Sequence, residues 1–227
     1  MAPAARFAVF LAFALISLLA LTKPKPYGDF LEYSITTVAL AAHGSAAIRA
    51  ADAVEAAALA PAHTDYFHAL AEGMAAGRVT PQPGFNISRD GAFYSIHPWG
   101  YSALAAPFFV LFKAVGIDPL KSFQAVNVAA MFVLGLCLYR LFASAWRSAL
   151  GLVLFMLCGG ALYWNWCSPE CMSAAALLGS MILLCTIGAL LCAGKGGALA
   201  ASNSVVELDG GWRYINGPIV CEATRGH

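Results

Sequence analysis

The sequence predicts an all-α integral membrane protein: about five transmembrane helices and a large first extracytoplasmic loop of short helices and a hairpin. Three observations lead there. Hydrophobic residues make up 60% of the chain and charged residues 11%, with a mean hydropathy of +0.72, whereas a soluble domain carries about a quarter charged residues. One apolar run near the N-terminus is separated from four closely spaced apolar runs in residues 101–193 by a long mixed segment. That segment holds nearly all of the histidines and a dense group of charges. A net charge of +1 supplies no field for steering towards nucleic acid, which excludes that class of partner.

A span needs roughly 20 apolar residues, or about 17 at the short end. Arg6–Thr22 is marginal by that measure. Tyr101–Gly116 (extended by its flanks), Phe123–Phe142, Ala149–Trp166 and Met172–Ala193 satisfy it. The chain therefore divides into an anchor helix (1–22), a loop (23–100), a four-helix membrane region (101–193) and a polar tail (194–227). Arg6 ahead of a short apolar core is also the pattern of a signal peptide. Thr22-Lys23-Pro24-Lys25-Pro26 offers no small-residue cleavage site, so an uncleaved anchor is favoured.

Pro24 and Pro26 end the first helix, because proline cannot continue it. From Gly28-Asp29 to His43, the apolar residues Leu31, Ile35, Val38 and Ala42 recur at the helical period. At about 100° per residue, Asp29, Glu32, Thr36 and His43 share a sector of roughly 60°, interrupted by Leu40. The segment reads as an amphipathic helix lying in the membrane interface with that polar side towards water. An Ala-rich helix over Ala50–Leu59 and a further helix over Asp65–Ala76 follow, with Pro61 between them and Gly77 as the stop. Asp90-Gly91 between two short alternating runs signals a hairpin, which needs the loop helices or the span tops to pack on. Trp99 and Tyr101 stand where an aromatic belt belongs. In the tail, Asp209-Gly210-Gly211 between Ser204–Leu208 and Trp212–Ile215 suggests a second hairpin.

Of seven cysteines, Cys137, Cys158, Cys185 and Cys192 lie inside spans as small hydrophobes. Cys167 and Cys171 flank a junction and can pair only in an oxidising compartment. No ligand set with zinc spacing is visible, and His43, His63 and His68 lack metal spacing. No metal or cofactor is expected.

Asp29, at the rim of the first span, can serve as a general base towards an acceptor hydroxyl or amine. With Glu32 three residues on, it equally fits a capping box. His97, held extended by Pro98, can bind a phosphate oxygen or assist a leaving group, or simply bond to backbone. Arg89 and Lys25 are alternative anion binders. Glu170 enters a span, where a carboxylate facing lipid is costly; the alternative is a helix start with Ser168 as cap and Pro169 in the first turn.

Gly28-Asp29-Phe30-Leu31-Glu32-Tyr33 resembles the GD-x-x-x-Y or DE-x-x-Y start of the first loop in GT-C fold glycosyltransferases. That superfamily includes protein mannosyltransferases and lipid A aminoarabinose transferase. Residues 90–101, Asp-Gly-Ala-Phe-Tyr-Ser-Ile-His-Pro-Trp-Gly-Tyr, resemble the family's DG-x-x-YS-x-HPPG approach to the second span. Ser168-Pro169-Glu170 resembles the carboxylate motif that begins a later span, and the likeness runs in order over about residues 1 to 193. The resemblance implies transfer of one sugar, with inversion, from a polyprenyl-phosphate donor to an acceptor at the extracytoplasmic face. It makes Asp29 the catalytic base and Glu170 a second acidic position. Glu32 and Tyr33 would line the pocket, with His97 beside the donor phosphate. It also implies a multi-pass protein of the bacterial inner membrane.

Members of that superfamily are usually longer, so a truncated member is one form this likeness can take. The alternative is a non-catalytic membrane protein, a degenerate fragment or assembly subunit that keeps the fold. Strict alternation of spans places Glu170 on the side opposite Asp29. Either the stretch between Phe123 and Trp166 is miscounted, or Glu170 lies outside the site. Lys113, Lys121, Arg140 and Arg147 fall on successive connections, so the positive-inside count nearly cancels. Arg6 tips it towards a cytoplasmic N-terminus.

Overall fold

A computed structural model describes residues 2–193 and two short strands at 206–208 and 212–214. Its elements fall into two compact units, 1–176 and 177–227. Within the first unit the order is α1 (Pro3–Leu21), α2 (Phe30–His43), α3 (Ala50–Leu59), α4 (Thr64–Ala75), β1 (Phe85–Ile87), β2 (Phe93–Ser95), α5 (Gly100–Ala114), α6 (Lys121–Phe142), α7 (Ala145–Phe155) and α8 (Ala161–Tyr163). A π-helical turn, Met156–Gly160, joins the last two. α9 (Glu170–Ala193) begins in the first unit and continues into the second.

Four helical stretches among the described residues are long and apolar enough to cross a membrane: Pro3–Leu21, Lys121–Phe142, Ala145–Tyr163 and Glu170–Ala189. The expected fifth, over Tyr101–Gly116, is not among them. α5 has 15 residues, about 22 Å at 1.5 Å per residue, against a hydrocarbon core of about 30 Å. Its neighbours place it in the loop layer. At its start, Tyr101 Oη donates to Phe123 O and to Asn127 Oδ1, both at 3.3 Å, and Ser102 Oγ donates to Tyr33 O at 3.0 Å. At its end, Lys113 pairs with Glu55 of α3. Between these points Phe109 and Val110 share a groove with Val38, Ala41 and Ala42 of α2. α5 thus runs beside α2, and the first stretch after it that is long and apolar enough to cross a membrane begins at Lys121.

The spans that remain have a definite sense. α6 runs antiparallel to α1. Lys121 Nζ donates to Leu19 O and Ala20 O at 2.8 and 3.0 Å, and Phe7 stacks on Tyr139 with ring centroids 4.8 Å apart. Gly135 lets Leu11 approach at the midpoint, where a Cβ would overlap it. The chain turns at Ala143, which takes a left-handed φ of 48°. Ser144 caps α7, its Oγ accepting from Arg147 N–H. The return through α7 and α8 ends beside the beginning of α6, where Asn127 Nδ2 donates to Trp164 O and Trp166 O at 3.1 and 3.3 Å. The end of α1 and the start of α9 therefore lie at the same end of the α1–α6 pair.

The loop forms its own core on Phe30, Ile35, Phe67, Leu70 and Phe85, all at most 1% exposed. α3 occupies the range its composition predicts, and α4 starts one residue early. α2 departs from expectation: Tyr33 through Ala39 are all buried, so its middle turns no polar side to water, and of its polar residues only Glu32 and His43, near its ends, stay partly exposed. Three of its hydroxyls satisfy themselves on their own helix, Ser34 Oγ on Leu31 O, Thr36 Oγ1 on Glu32 O and Thr37 Oγ1 on Tyr33 O. His43 at its end pairs with Asp52 of α3 at 3.1 Å. With those hydroxyls paired, the middle of the helix, Tyr33 through Ala39, can be buried.

The hairpin forms with Phe85 opposite Ser95 and Ile87 opposite Phe93. Its turn is longer than two residues. Ser88 N–H donates to Ala92 O, and Gly91 supplies a φ of 82°. Ile48 N–H donates to Phe93 O at 2.7 Å, tying the hairpin to the connection before α3.

In the second unit β3 (Val206–Leu208) and β4 (Trp212–Tyr214) pair antiparallel. The rest of the expected tail hairpin, including Asp209-Gly210-Gly211, lies outside the described residues.

Candidate functional site

Asp29 stands at the start of α2, where backbone polarity would favour a capping role. The structure does not use it so: the Asp29 side chain makes no cap hydrogen bond. Its Oδ2 lies 3.5 Å from His97 Nε2, with the two side chains 46% and 28% exposed. Glu32 is also drawn away from a capping box, and packs against Gly84, where a Cβ would overlap its carboxylate. Gly84 adopts φ 90°, which a residue with a side chain rarely takes.

His97 is positioned from both sides. Its N–H donates to Ser95 Oγ at 3.0 Å, and Pro98 keeps the backbone extended into α5. Its ring lies on Tyr33, centroids 5.5 Å apart, and Tyr33 meets Tyr101 edge-on at 5.4 Å. Tyr33 is 5% exposed. Burial first, then the charges of Asp29, Glu170 and Glu32, hold its hydroxyl above the ordinary value of 10.0. The same effects act on Tyr66, which burial and then Glu32 push up to about 12; its Oη donates to Pro83 O at 2.7 Å.

Glu170 therefore shares the electrostatic surroundings of Asp29, and the backbone shows how. After α1 the strip Lys25–Gly28 pairs with the strip after α8. Lys25 N–H donates to Asn165 O at 2.8 Å, and Cys167 N–H donates to Lys25 O at 3.2 Å. Lys25 and Trp166 form a parallel bridge. Gly28, at φ 69°, leaves its missing side chain's place 3.3 Å from Ser168 Oγ. Two residues beyond Ser168 the chain reaches Glu170, exposed at the start of α9. The strip leading to Glu170 thus lies beside the strip leading to Asp29, with the stretch between Phe123 and Trp166 running out and back. Ser168 does not cap α9, since its buried Oγ has no partner.

The structure brings together Asp29, Glu32, Tyr33, His97 and Glu170, and leaves one expected residue apart. Arg89 lies at the exposed tip of the hairpin turn, with no hydrogen bond or ion pair to the cluster among the described residues. Cys167 is fully buried, and burial, then Asp118, push its thiol up, which makes it a poor nucleophile. Sequence reasoning missed Asn127, which is 0% exposed and ties α5 and α6 to the Trp164–Trp166 strip. The available signal was an amide inside an apolar run, a costly residue unless paired.

Comparison with protein families, with curated proteins and with solved structures finds no match to this chain. The functional reading therefore rests on the cluster itself.

Proposed function

We propose that this is a membrane glycosyltransferase-like protein that transfers a sugar from a polyprenyl-phosphate donor to an acceptor at the extracytoplasmic face. The observation that carries the reading is the Asp29–His97 pair, open to solvent on the level where spans meet loop, with Glu170 in the same field. A donor with a long isoprenoid tail keeps that tail in lipid while its charged head reaches this boundary.

In this reading Asp29 accepts the proton of the acceptor hydroxyl or amine as the acceptor atom bonds to the anomeric carbon. The bond from that carbon to the phosphate oxygen breaks on the opposite face, inverting the configuration, and the lipid phosphate departs with the bonding pair. A phosphate needs little acid assistance but gains from nearby cationic or N–H groups. His97 turns Nε2 towards Asp29 and so orients the base. Glu170 and Glu32 can accept hydrogen bonds from sugar or acceptor hydroxyls.

Sugar transfer from a labelled polyprenyl-phosphate sugar pool, in membranes containing the chain, tests this. Asp29→Asn should lower the rate at least about 100-fold, the scale of a lost general base, with folding intact. Equal rates in both proteins would remove Asp29 from the mechanism. No transfer in either would favour the non-catalytic alternative.

A further inference from the structure

α5 is apolar on a side that none of the described residues covers. At about 100° per residue, Tyr101, Ser102, Ala105 and Phe109 share a sector of about 100°, and all four are buried against the loop core and the start of α6. Leu104, Pro107, Leu111 and Val115 occupy a stripe about 80° wide on roughly the opposite side. Leu104, Leu111 and Val115 are 53%, 54% and 59% exposed, and Pro107 is exposed as well. The stripe holds no charge and no hydrogen-bonding side chain. A helix face open to water is polar, and the core of a protein interface favours aromatic residues, methionine and arginine. Leucine and valine are what the exposed sides of the spans carry, as at Val133 and Leu136 of α6 and at Val153 and Leu154 of α7.

The two ends of α5 show how it lies. Trp99, 59% exposed, stands just before it and joins its register through the Ala103 N–H, which donates to Trp99 O at 2.8 Å. Lys113 stands at the other end, its side chain 56% exposed. Though about 21 Å apart along the axis, Trp99 and Lys113 fall within about 40° of one another around it, off the stripe. Tryptophan and lysine are anchors of the headgroup level. A helix along the bilayer normal would set these two at different depths, whereas a helix lying flat sets both at one. Both ends are also tied at that level. Tyr101 bonds to Phe123 and Asn127, within about 9 Å of Lys121 along α6, and Lys113 pairs with Glu55 of α3. We propose that α5 lies in the plane of the leaflet nearest the loop, with Leu104, Pro107, Leu111 and Val115 among phospholipid acyl chains. The loop core then rests on α5, and the bilayer supports the arm that carries His97 just ahead of the helix. This lipid surface stands whether or not the protein transfers a sugar.

Spin labels on single cysteines test this, in the full chain freed of native cysteines and held one copy per phospholipid nanodisc. Leu104→Cys and Leu111→Cys report on the stripe, Arg89→Cys on water and Val133→Cys on lipid. Both stripe labels should relax with oxygen in preference to a water-soluble nickel chelate, as the label at residue 133 does. Both should sit about 5–10 Å into the boundary of headgroups and acyl chains. Their depths should agree within about 5 Å, against about 10 Å for a helix on the bilayer normal. Preference for the nickel chelate, as at residue 89, means that the face is in water and overturns the proposal. Exclusion of both reagents means that protein covers the face and overturns it too, as does a depth difference above about 5 Å. Benzoylphenylalanine in place of Leu111, in the chain with its native cysteines, keeps the result interpretable if the cysteine-free chain fails to fold. Photocoupling to phospholipid supports the proposal, and coupling to protein alone overturns it.

Discussion

At the scale of single residues, Asn127 shows how one amide organises the site from a distance. It is fully buried near the beginning of a span, accepts from Tyr101 Oη and donates to the carbonyls of Trp164 and Trp166. Those three bonds fix α5, and hence His97, against the strip that leads to Glu170. Replacing Asn127 by Ala strips partners from buried carbonyls, each worth about 1–3 kcal/mol when left unmet. We expect a loss of about 2–3 kcal/mol in stability, read as a lowered thermal midpoint in detergent or nanodiscs. Individual members of the cluster were legible where chemistry makes a residue type conspicuous: Asp29, His97 and Glu170 are ionisable groups next to long apolar runs. The pairing of Asp29 with His97 instead of a helix cap was not legible. Capping depends on where the side chain points, and spacing says nothing of that when a second partner arrives from residue 97.

At the scale of elements, α5 and α2 were misread for related reasons. An apolar run of about span length has the same composition whether lipid or protein covers it. What separates the two is the company at both ends, and for α5 these are Asn127 and Glu55. A cysteine introduced at Ala114, in a background freed of native cysteines, should react with a membrane-impermeant maleimide from the same side as one at Arg89. One at Ser144 should react only from the other side. Labelling of residue 114 with 144 would restore the fifth span. α2 carries hydroxyls that look like a wet face until their bonds to carbonyls of the same helix are known. α3 and the hairpin held their expected places, because an Ala-rich run bounded by Pro61 and an Asp-Gly turn act locally.

The loop layer also responds to alkali in a defined direction. Tyr33, Tyr66 and Tyr101 all have hydroxyls raised above the ordinary value of 10.0, chiefly by burial. A raised folded-state value means the folded chain keeps the proton after the unfolded chain has lost it. The stability contributed is whole below pH 10 and falls as pH climbs towards the folded value, which for Tyr66 is about 12. Tyrosinate absorbance should show these hydroxyls ionising late, together with loss of the loop's helical signal. Ionisation of all tyrosines near pH 10 with the fold intact would contradict the packing described.

For the whole molecule, the placement of α5 changes the charge count across the membrane. Lys113 and Lys121 move to the loop side, within a stretch longer than those the positive-inside rule governs. The opposite ends of α1, α6 and α7 carry Arg6, Arg140 and Arg147 and no acidic residue. We expect that side to be cytoplasmic, so a fluorescent reporter fused at the N-terminus should fold and emit, whereas a periplasmic phosphatase inserted near residue 89 should be active. The reverse pattern would place the Asp29 cluster in the cytoplasm.

The sequence by itself determined that this chain has helices long and apolar enough to cross a membrane and one long mixed segment, and it determined which ionisable groups stand where the two meet. Those properties follow from composition and from runs of apolar residues, which are local and additive. Only the tertiary structure decided that the start of α9 lies beside the chain that follows α1, and which carboxylates stand around Tyr33. That placement depends on every element between them, and one helix held in the loop layer by Asn127 and Glu55 is enough to bring Glu170 to the side of Asp29.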